Sequence, residues 1–386
     1  MQPVIYMDNN ATTAVDPLVL EEMTPYLDRF YGNPSSMHTF GGQVAKKILQ
    51  ARQQVADLLG CDADEVIFTS CGTESDNAAI AGTLASVPNK RTVITTRVEH
   101  PAVLGPCRSF EQHGYRIIEL GVDKLGRLDT DELVRCIDED TALVSIMYAN
   151  NETGVIFPVE KIAALCKDHG AIFHTDAVQA VGKIPLNMKN SSVDLLSLAG
   201  HKLHAPKGVG ALYVRRGTRL TPFMQGGHQE SNRRGGTENV PGIVAIGKAC
   251  QLAAEYMQQE NTRVRSLRDR LEEKILASCP DCRVNGDKEN RLPNTLNVSF
   301  DYIEGESILM MLNRHGICAS SGSACTSGSL EPSHVLRAMG VPFTSAHGSI
   351  RFSLSRYNTQ EEVDFVAEKL VPIVVHLRQL SPFVAK

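Results

Sequence analysis

The chain has 386 residues, of which 42% are hydrophobic and 22% charged, and its formal net charge is −5. That length suggests two domains with cores large enough to need no disulfide or metal staple, and the composition excludes global disorder. The acidic balance argues against a nucleic-acid partner, and no run of 18 apolar residues is present to cross a membrane. The first residues, Met1-Gln-Pro-Val-Ile-Tyr-Met-Asp8, carry neither a basic region nor a signal-like apolar stretch, so a cytoplasmic protein is expected. Its 10 cysteines then read as free thiols rather than a disulfide framework.

In chain order, strands are predicted at 65–70, 91–96, 116–120, 142–150, 171–177, 195–200 and 210–216. Several are continuous apolar runs, as suits strands buried on both faces. Helical patterns fill the gaps after the first four, including 159–169 with Ile162, Leu165 and Cys166 at helical spacing. Such alternation predicts an α/β fold with a mostly parallel seven-stranded sheet. The link from the sixth strand to the seventh, about ten residues, is too short for a crossover helix, so that pair is expected to be antiparallel. A long helix is predicted at 243–278, its apolar stripe marked by Val264, Leu267, Leu271 and Ile275. A loop at 285–293, strands at 295–300 and 349–354, and helices at 306–315 and 359–379 follow. The expected division is a large domain at 15–256 and a small α+β domain from 1–14 and 257–386.

Several residues bear chemistry, each with a plainer alternative. The run Ser197-Leu-Ala-Gly-His201-Lys202 ends a buried strand in a lysine, which is either solvated there or desolvated enough to form a Schiff base. Asp176 ends another strand, as a helix cap or as the partner of a pyridine nitrogen. Both would face the crevice outside the strand termini. In Phe68-Thr-Ser-Cys-Gly72-Thr73-Glu-Ser a strand turns into a helix N-terminus, an anion cradle or an ordinary cap. His100 is an exposed loop imidazole or one that stacks on a ring and moves protons. Asn151 forms a turn or binds a substrate carboxylate, and Arg351 makes a surface ion pair or clamps that carboxylate. Cys325, in Ser320-Ser-Gly-Ser-Ala-Cys325-Thr-Ser-Gly, is an incidental surface thiol or a nucleophile. Cys279-Pro-Asp-Cys282 reads as an inert turn.

Taken together, these motifs resemble the cysteine desulfurases of the nitrogen-fixation and iron–sulfur-cluster type. The resemblance runs from Tyr6-Met-Asp8-Asn-Asn10 through Thr73-Glu-Ser-Asp-Asn77, Val98-Glu-His100-Pro, Ala149-Asn-Asn-Glu-Thr-Gly154, His174-Thr-Asp-Ala-Val-Gln179 and Gly200-His-Lys202. It ends at Ser321-Gly-Ser-Ala-Cys325, like the long-loop group, and at Ile350-Arg-Phe-Ser-Leu354. It implies the aspartate-aminotransferase fold (fold type I), pyridoxal 5′-phosphate as cofactor, and L-cysteine as substrate. Lys202 resembles the Schiff-base lysine, Asp176 the pyridinium partner, Gln179 the residue on the ring hydroxyl and His100 the stacked imidazole. Gly72, Thr73 and His201 match the phosphate site. Thr237 resembles a phosphate contact given across a homodimer. Asn151 and Arg351 match the carboxylate clamp and Cys325 the sulfur-accepting nucleophile, which would pass sulfur to an iron–sulfur scaffold or another acceptor. Two positions depart from the pattern: Ala199 stands where a phosphate-binding serine is usual, and Ala205 where a glycine is common. The C-terminus, Leu380-Ser-Pro-Phe-Val-Ala-Lys386, is shorter than in some members. A selenocysteine lyase, another enzyme on this scaffold and a non-catalytic relative are the alternatives.

Overall fold

Seven strands build the principal sheet: β1 (Val66–Thr69), β2 (Thr92–Thr96), β3 (Arg116–Leu120), β4 (Thr141–Ser145), β5 (Ile172–Asp176), β6 (Leu195–Ala199) and β7 (Gly210–Val214). The computed structural model describes residues 4–321 and 332–382. The strand order is β1-β7-β6-β5-β4-β2-β3. Strand β7 is antiparallel to β6 and β1, and the remaining pairs are parallel, as the short connection before β7 required. Every residue of β1, β2, β4, β6 and β7 is buried, so their apolar runs face helices on both sides; the edge strand β3 exposes Arg116.

Helices Gly72–Ser86, Pro101–Glu111, Thr130–Cys136 and Val159–Asp168 follow β1 to β4. Strand β4 ends five residues before the sequence pattern does. Beyond it Ile146 N and Tyr148 N still donate to His174 O and Asp176 O (3.1 and 2.8 Å), and the chain then turns at Asn150, whose side-chain oxygen accepts from Glu152 N and Thr153 N, both at 2.9 Å. Because β1, β2, β4, β5 and β6 point the same way, the residues just past each strand gather at one edge of the sheet.

A second core lies around an antiparallel sheet of Cys282–Val284, Thr295–Phe300 and Ser349–Ser353, with helices Arg265–Ser278, Gly305–Arg314 and Gln360–Leu380. The N-terminal strand Ile5–Tyr6 pairs in parallel with Ile317–Cys318. The long helix expected at 243–278 is in fact Val240–Gln259, a π turn at Glu260–Val264, and Arg265–Ser278. Asn261 Nδ2 donates to Met257 O (3.0 Å) and to Lys183 O (2.8 Å), which accompanies the widening of the turn. Tyr256 and Met257, before the turn, pack on the large core, whereas Val264 belongs to the second. Helical periodicity runs straight through such a bulge, so the sequence pattern did not reveal it. In the Cys279–Cys282 turn, Cys279 is buried and Cys282 Sγ donates to its carbonyl at 2.9 Å.

Candidate active site

At the carboxyl edge of the sheet opens a cavity of about 350 Å³. Of the residues singled out by sequence, Gly72, Thr73, His100, Asn151, Asp176, Gln179, His201, Lys202 and Arg351 all line it. Thr237 does not; it is exposed elsewhere on the chain. Cys325 lies outside the described residues.

The floor comes from β5 and β6. Asp176 ends β5 and accepts from Val178 N at 2.9 Å. Burial raises its pKa, against the opposing pull of His100 and Lys202. Strand β6 passes into the tight turn Gly200–Lys202, which lifts Lys202 to the cavity. Its Nζ donates to the carbonyls of Asn10 (2.5 Å) and Ala11 (2.6 Å). His201 Nδ1 lies 3.2 Å from Thr12 Oγ1, and burial lowers its pKa to about 4.

The side walls follow β1 and β2. Helix Gly72–Ser86 begins at the cavity, so the unpaired amides of its first turn are presented there. A Cβ on Gly72 would meet Val178 Cγ2 at 2.9 Å and Ala199 Cβ at 3.4 Å, so the chain comes this close to its neighbours because position 72 has no side chain. His100 caps helix Pro101–Glu111, its Nδ1 accepting from Ala102 N at 3.1 Å. In the neutral ring, favoured by burial, Nε2 therefore carries the proton.

Arg351 enters from the strand Ser349–Ser353 of the second core and is 3% exposed. One amino group donates to Asn151 O (2.9 Å) and the other pairs with Asp8 (2.8 Å); its buried Nε has no partner. That orphaned donor beside the cavity suits a carboxylate-bearing ligand.

Sequence reasoning missed a buried polar layer behind Asp176. Asp76 is buried, its pKa pushed well up by burial and then by Asp176. Glu99 is raised to about 8 by burial, although its carboxylate accepts from Thr96 Oγ1 (2.7 Å) and Met147 N (3.0 Å). His174 is held neutral, lowered to about 3 by burial, with Ser145 Oγ at 2.8 Å and Ser197 Oγ at 3.0 Å. Also missed was His334, which lines the cavity and whose Nε2 lies 2.9 Å from Glu99 O. None of these carries a local signal, since each needs the folded sheet to bring it near the others.

The aminotransferase class-V family model matches residues 5–366. The chain belongs to the aminotransferase class-V family. Within it, this member is 62% identical to a cysteine desulfurase of Nostoc sp. over 98% of its own length and 95% of the relative. It is 57% identical to the cysteine desulfurase NifS of Azotobacter vinelandii, covering 98% and 94% of the two chains. A solved NifS-like protein superposes with a TM-score of 0.91 at 40% identity, over 97% of this chain and 100% of that one. The α/β fold expected from sequence, of the aspartate-aminotransferase type with a mostly parallel seven-stranded sheet, is the one observed. The cavity also suits the cofactor of this family: a lysine and a carboxylate at adjacent strand ends, a helix N-terminus that leaves room for a phosphate, and an imidazole at the side.

Proposed function

We propose that this protein is a pyridoxal 5′-phosphate-dependent cysteine desulfurase that turns L-cysteine into L-alanine and leaves the sulfur as a persulfide on Cys325. What carries the reading is that Lys202, Asp176, His100 and Arg351, from four separate stretches, line one cavity in a chain 62% identical to a named cysteine desulfurase. No observation favours a selenocysteine lyase, another enzyme on this scaffold or a binding-only relative.

When bound, the cofactor supplies an electron sink for charge developing at the substrate Cα. Lys202 would hold its aldehyde, and its Nζ would take the Cα proton of the substrate. Asp176 would keep the ring nitrogen protonated, and that cation would offset the burial that raises the pKa of Asp176. Gln179 would meet the ring oxygen and His100 the ring face. Gly72, Thr73 and His201 would hold the phosphate, joined by Thr237 of the partner subunit. Arg351 and Asn151 orient the substrate carboxylate. The Cys325 thiolate attacks the substrate sulfur; the carbon–sulfur bond breaks, a sulfur–sulfur bond forms, and the carbon keeps the electron pair and is protonated to alanine. Of the described residues on either side of Cys325, Ser320 exchanges backbone hydrogen bonds with Arg351 (3.2 and 2.6 Å) and His334 lines the cavity.

The homodimer belongs to the same proposal. Leu18, Leu20, Leu27, Phe30, Tyr31 and Met37 expose 39–105% of their surfaces within one short segment, an apolar face that a second copy would cover. So does a cytoplasmic setting, where the nine described cysteines, all free, stay reduced. No described helix is long and apolar enough to cross a membrane. The sulfur acceptor is read as an iron–sulfur scaffold or a comparable sulfur-accepting protein.

The deciding experiment gives the purified protein L-cysteine and a thiol reductant and measures alanine and sulfide together. Equal, catalytic amounts are expected, and Cys325→Ala should retain the cofactor but lose sulfide production by at least about 100-fold. Undiminished sulfide from that variant would remove Cys325 from the mechanism. Neither product from cofactor-loaded wild type would remove the desulfurase.

A further inference from the structure

Lys183 has no part in the chemistry above, yet it is 7% exposed and hydrogen-bonds Gln179, which lines the cavity. Gly182, at φ +74°, turns the chain there; a Cβ on it would lie 2.5 Å from Leu203 Cδ2, so the turn needs glycine. Lys183 Nζ donates to Gln179 O (3.1 Å) and points at Gln179 Oε1 (3.4 Å). Gln179 Nε2 in turn donates to Asn10 O (3.0 Å), the same carbonyl that receives Lys202 Nζ. Lys183 also borders a separate cavity of about 20 Å³, with Glu260, Arg356 and His204 around it and Lys202 at its edge. From the π turn, Asn261 grips its carbonyl at 2.8 Å. Burial lowers the Lys183 pKa to about 8, with Glu260 opposing and Arg351 adding to the fall.

An ammonium has three donors and no acceptor. It therefore accepts the oxygen end of the Gln179 amide as neighbour and rejects the nitrogen end. The amide is left offering N–H, not C=O, to the active-site cavity that Gln179 lines. We propose that Lys183 is a positioning residue: by fixing which way the Gln179 amide faces, it places a hydrogen-bond donor on the ring oxygen of the bound cofactor. The inference rests on the cofactor reading above. A donor there stabilises the anionic ring oxygen and draws its charge from the proton on the Lys202 linkage, which is lost at lower pH as a result. Without Lys183 only the Asn10 carbonyl orients the amide; it then turns over more readily and presents its carbonyl, and that proton is held to higher pH.

The test is a spectroscopic pH titration of the purified holoenzyme in its visible cofactor band, without substrate. Lys183→Met should move the midpoint up by about one pH unit, the worth of one hydrogen bond to a charged group. Gln179→Met should move it similarly, and the double variant no further than Gln179→Met alone. Should Lys183→Met not fold, Lys183→Gln gives the same reading with a smaller rise, since its amide accepts as well as donates. A wild-type midpoint in the folded Lys183 variant, with Gln179→Met shifted, overturns the inference and leaves the cofactor reading standing. Full addition of the two shifts overturns it too, because Lys183 would then act independently of Gln179. No shift with Gln179→Met removes Gln179 from the ring oxygen and the inference with it. A wild-type protein that takes up no cofactor refutes the functional reading itself.

Discussion

Two sets of groups meet at the cavity: Asp76 and Asp176, which line it, lie buried with Glu99 at raised pKa values beside a neutral His174, whereas Lys202 and Arg351, which line it too, are anchored by carbonyls and by Asp8. One wall is acidic but inclined to keep its protons. The other is cationic, with its donors already aimed. The inner wall therefore answers to the arrival of a positive charge, which opposes the burial that raises the pKa of Asp176. The outer wall answers to an anion, which competes with Asn151 O and Asp8 for Arg351. A zwitterionic substrate and a cofactor with a cationic ring and an anionic phosphate suit that division.

The sharpest break in this comparison is Lys202→Ala. It removes the base and the covalent anchor together, and turnover should fall by at least about 1,000-fold. The measurement pairs turnover with cofactor retention after gel filtration. A variant that keeps both its cofactor and its rate would mean that the outer wall lacks the catalytic lysine.

Next in size is Arg351→Ala. Hydrogen bonds to charged groups contribute about 1.5–3 kcal/mol, so KM for L-cysteine should rise about 10- to 100-fold. The turnover number should change far less, because the carboxylate is bound equally before and during the chemistry. Arg351→Lys should recover little, since an ammonium lacks the planar fork. A fall in turnover number with KM unchanged would place Arg351 at the reacting atoms instead of the carboxylate.

The two walls were unequally legible in the sequence. Lys202 and Asp176 stood out because each comes at the end of a strand expected to be buried, where a charged residue has no packing reason to be. Gly72 and His100 stood out as punctuation between strand and helix. Asp76 and Glu99 did not, since one lies on a helix face among alanines and the other in a short loop. Only the sheet joins them to Asp176. The pairing of Arg351 with Asp8 links residues 343 positions apart, and no local pattern encodes it. The reversed β7 was readable from its short connection, whereas the strand order was not, and the π turn was hidden because its apolar stripe keeps helical spacing across it.

The smallest effect tests the inner wall alone. Glu99 has a folded pKa of about 8 against an ordinary 4.5. Between those values the folded protein holds a proton that the unfolded chain has lost, so this group makes stability fall as pH rises. The buried histidines act in the opposite sense. His174 near 3, and His201 and His204 near 4, lie below the ordinary 6.5, so their contribution grows with pH and is complete above about 6.5. From pH 6.5 to 8 the carboxyl slope is left without that opposition. One proton over that interval corresponds to at most about 2 kcal/mol of lost stability. Glu99→Gln should remove most of that share when cofactor-free protein is unfolded in urea at the two pH values, while Asp76, Asp176 and Glu152, also raised by burial, retain a residual slope. An equal decline in the variant would show that Glu99 is already ionised in the folded state. A constant offset at both pH values reflects altered packing around the new amide and leaves the comparison of slopes intact.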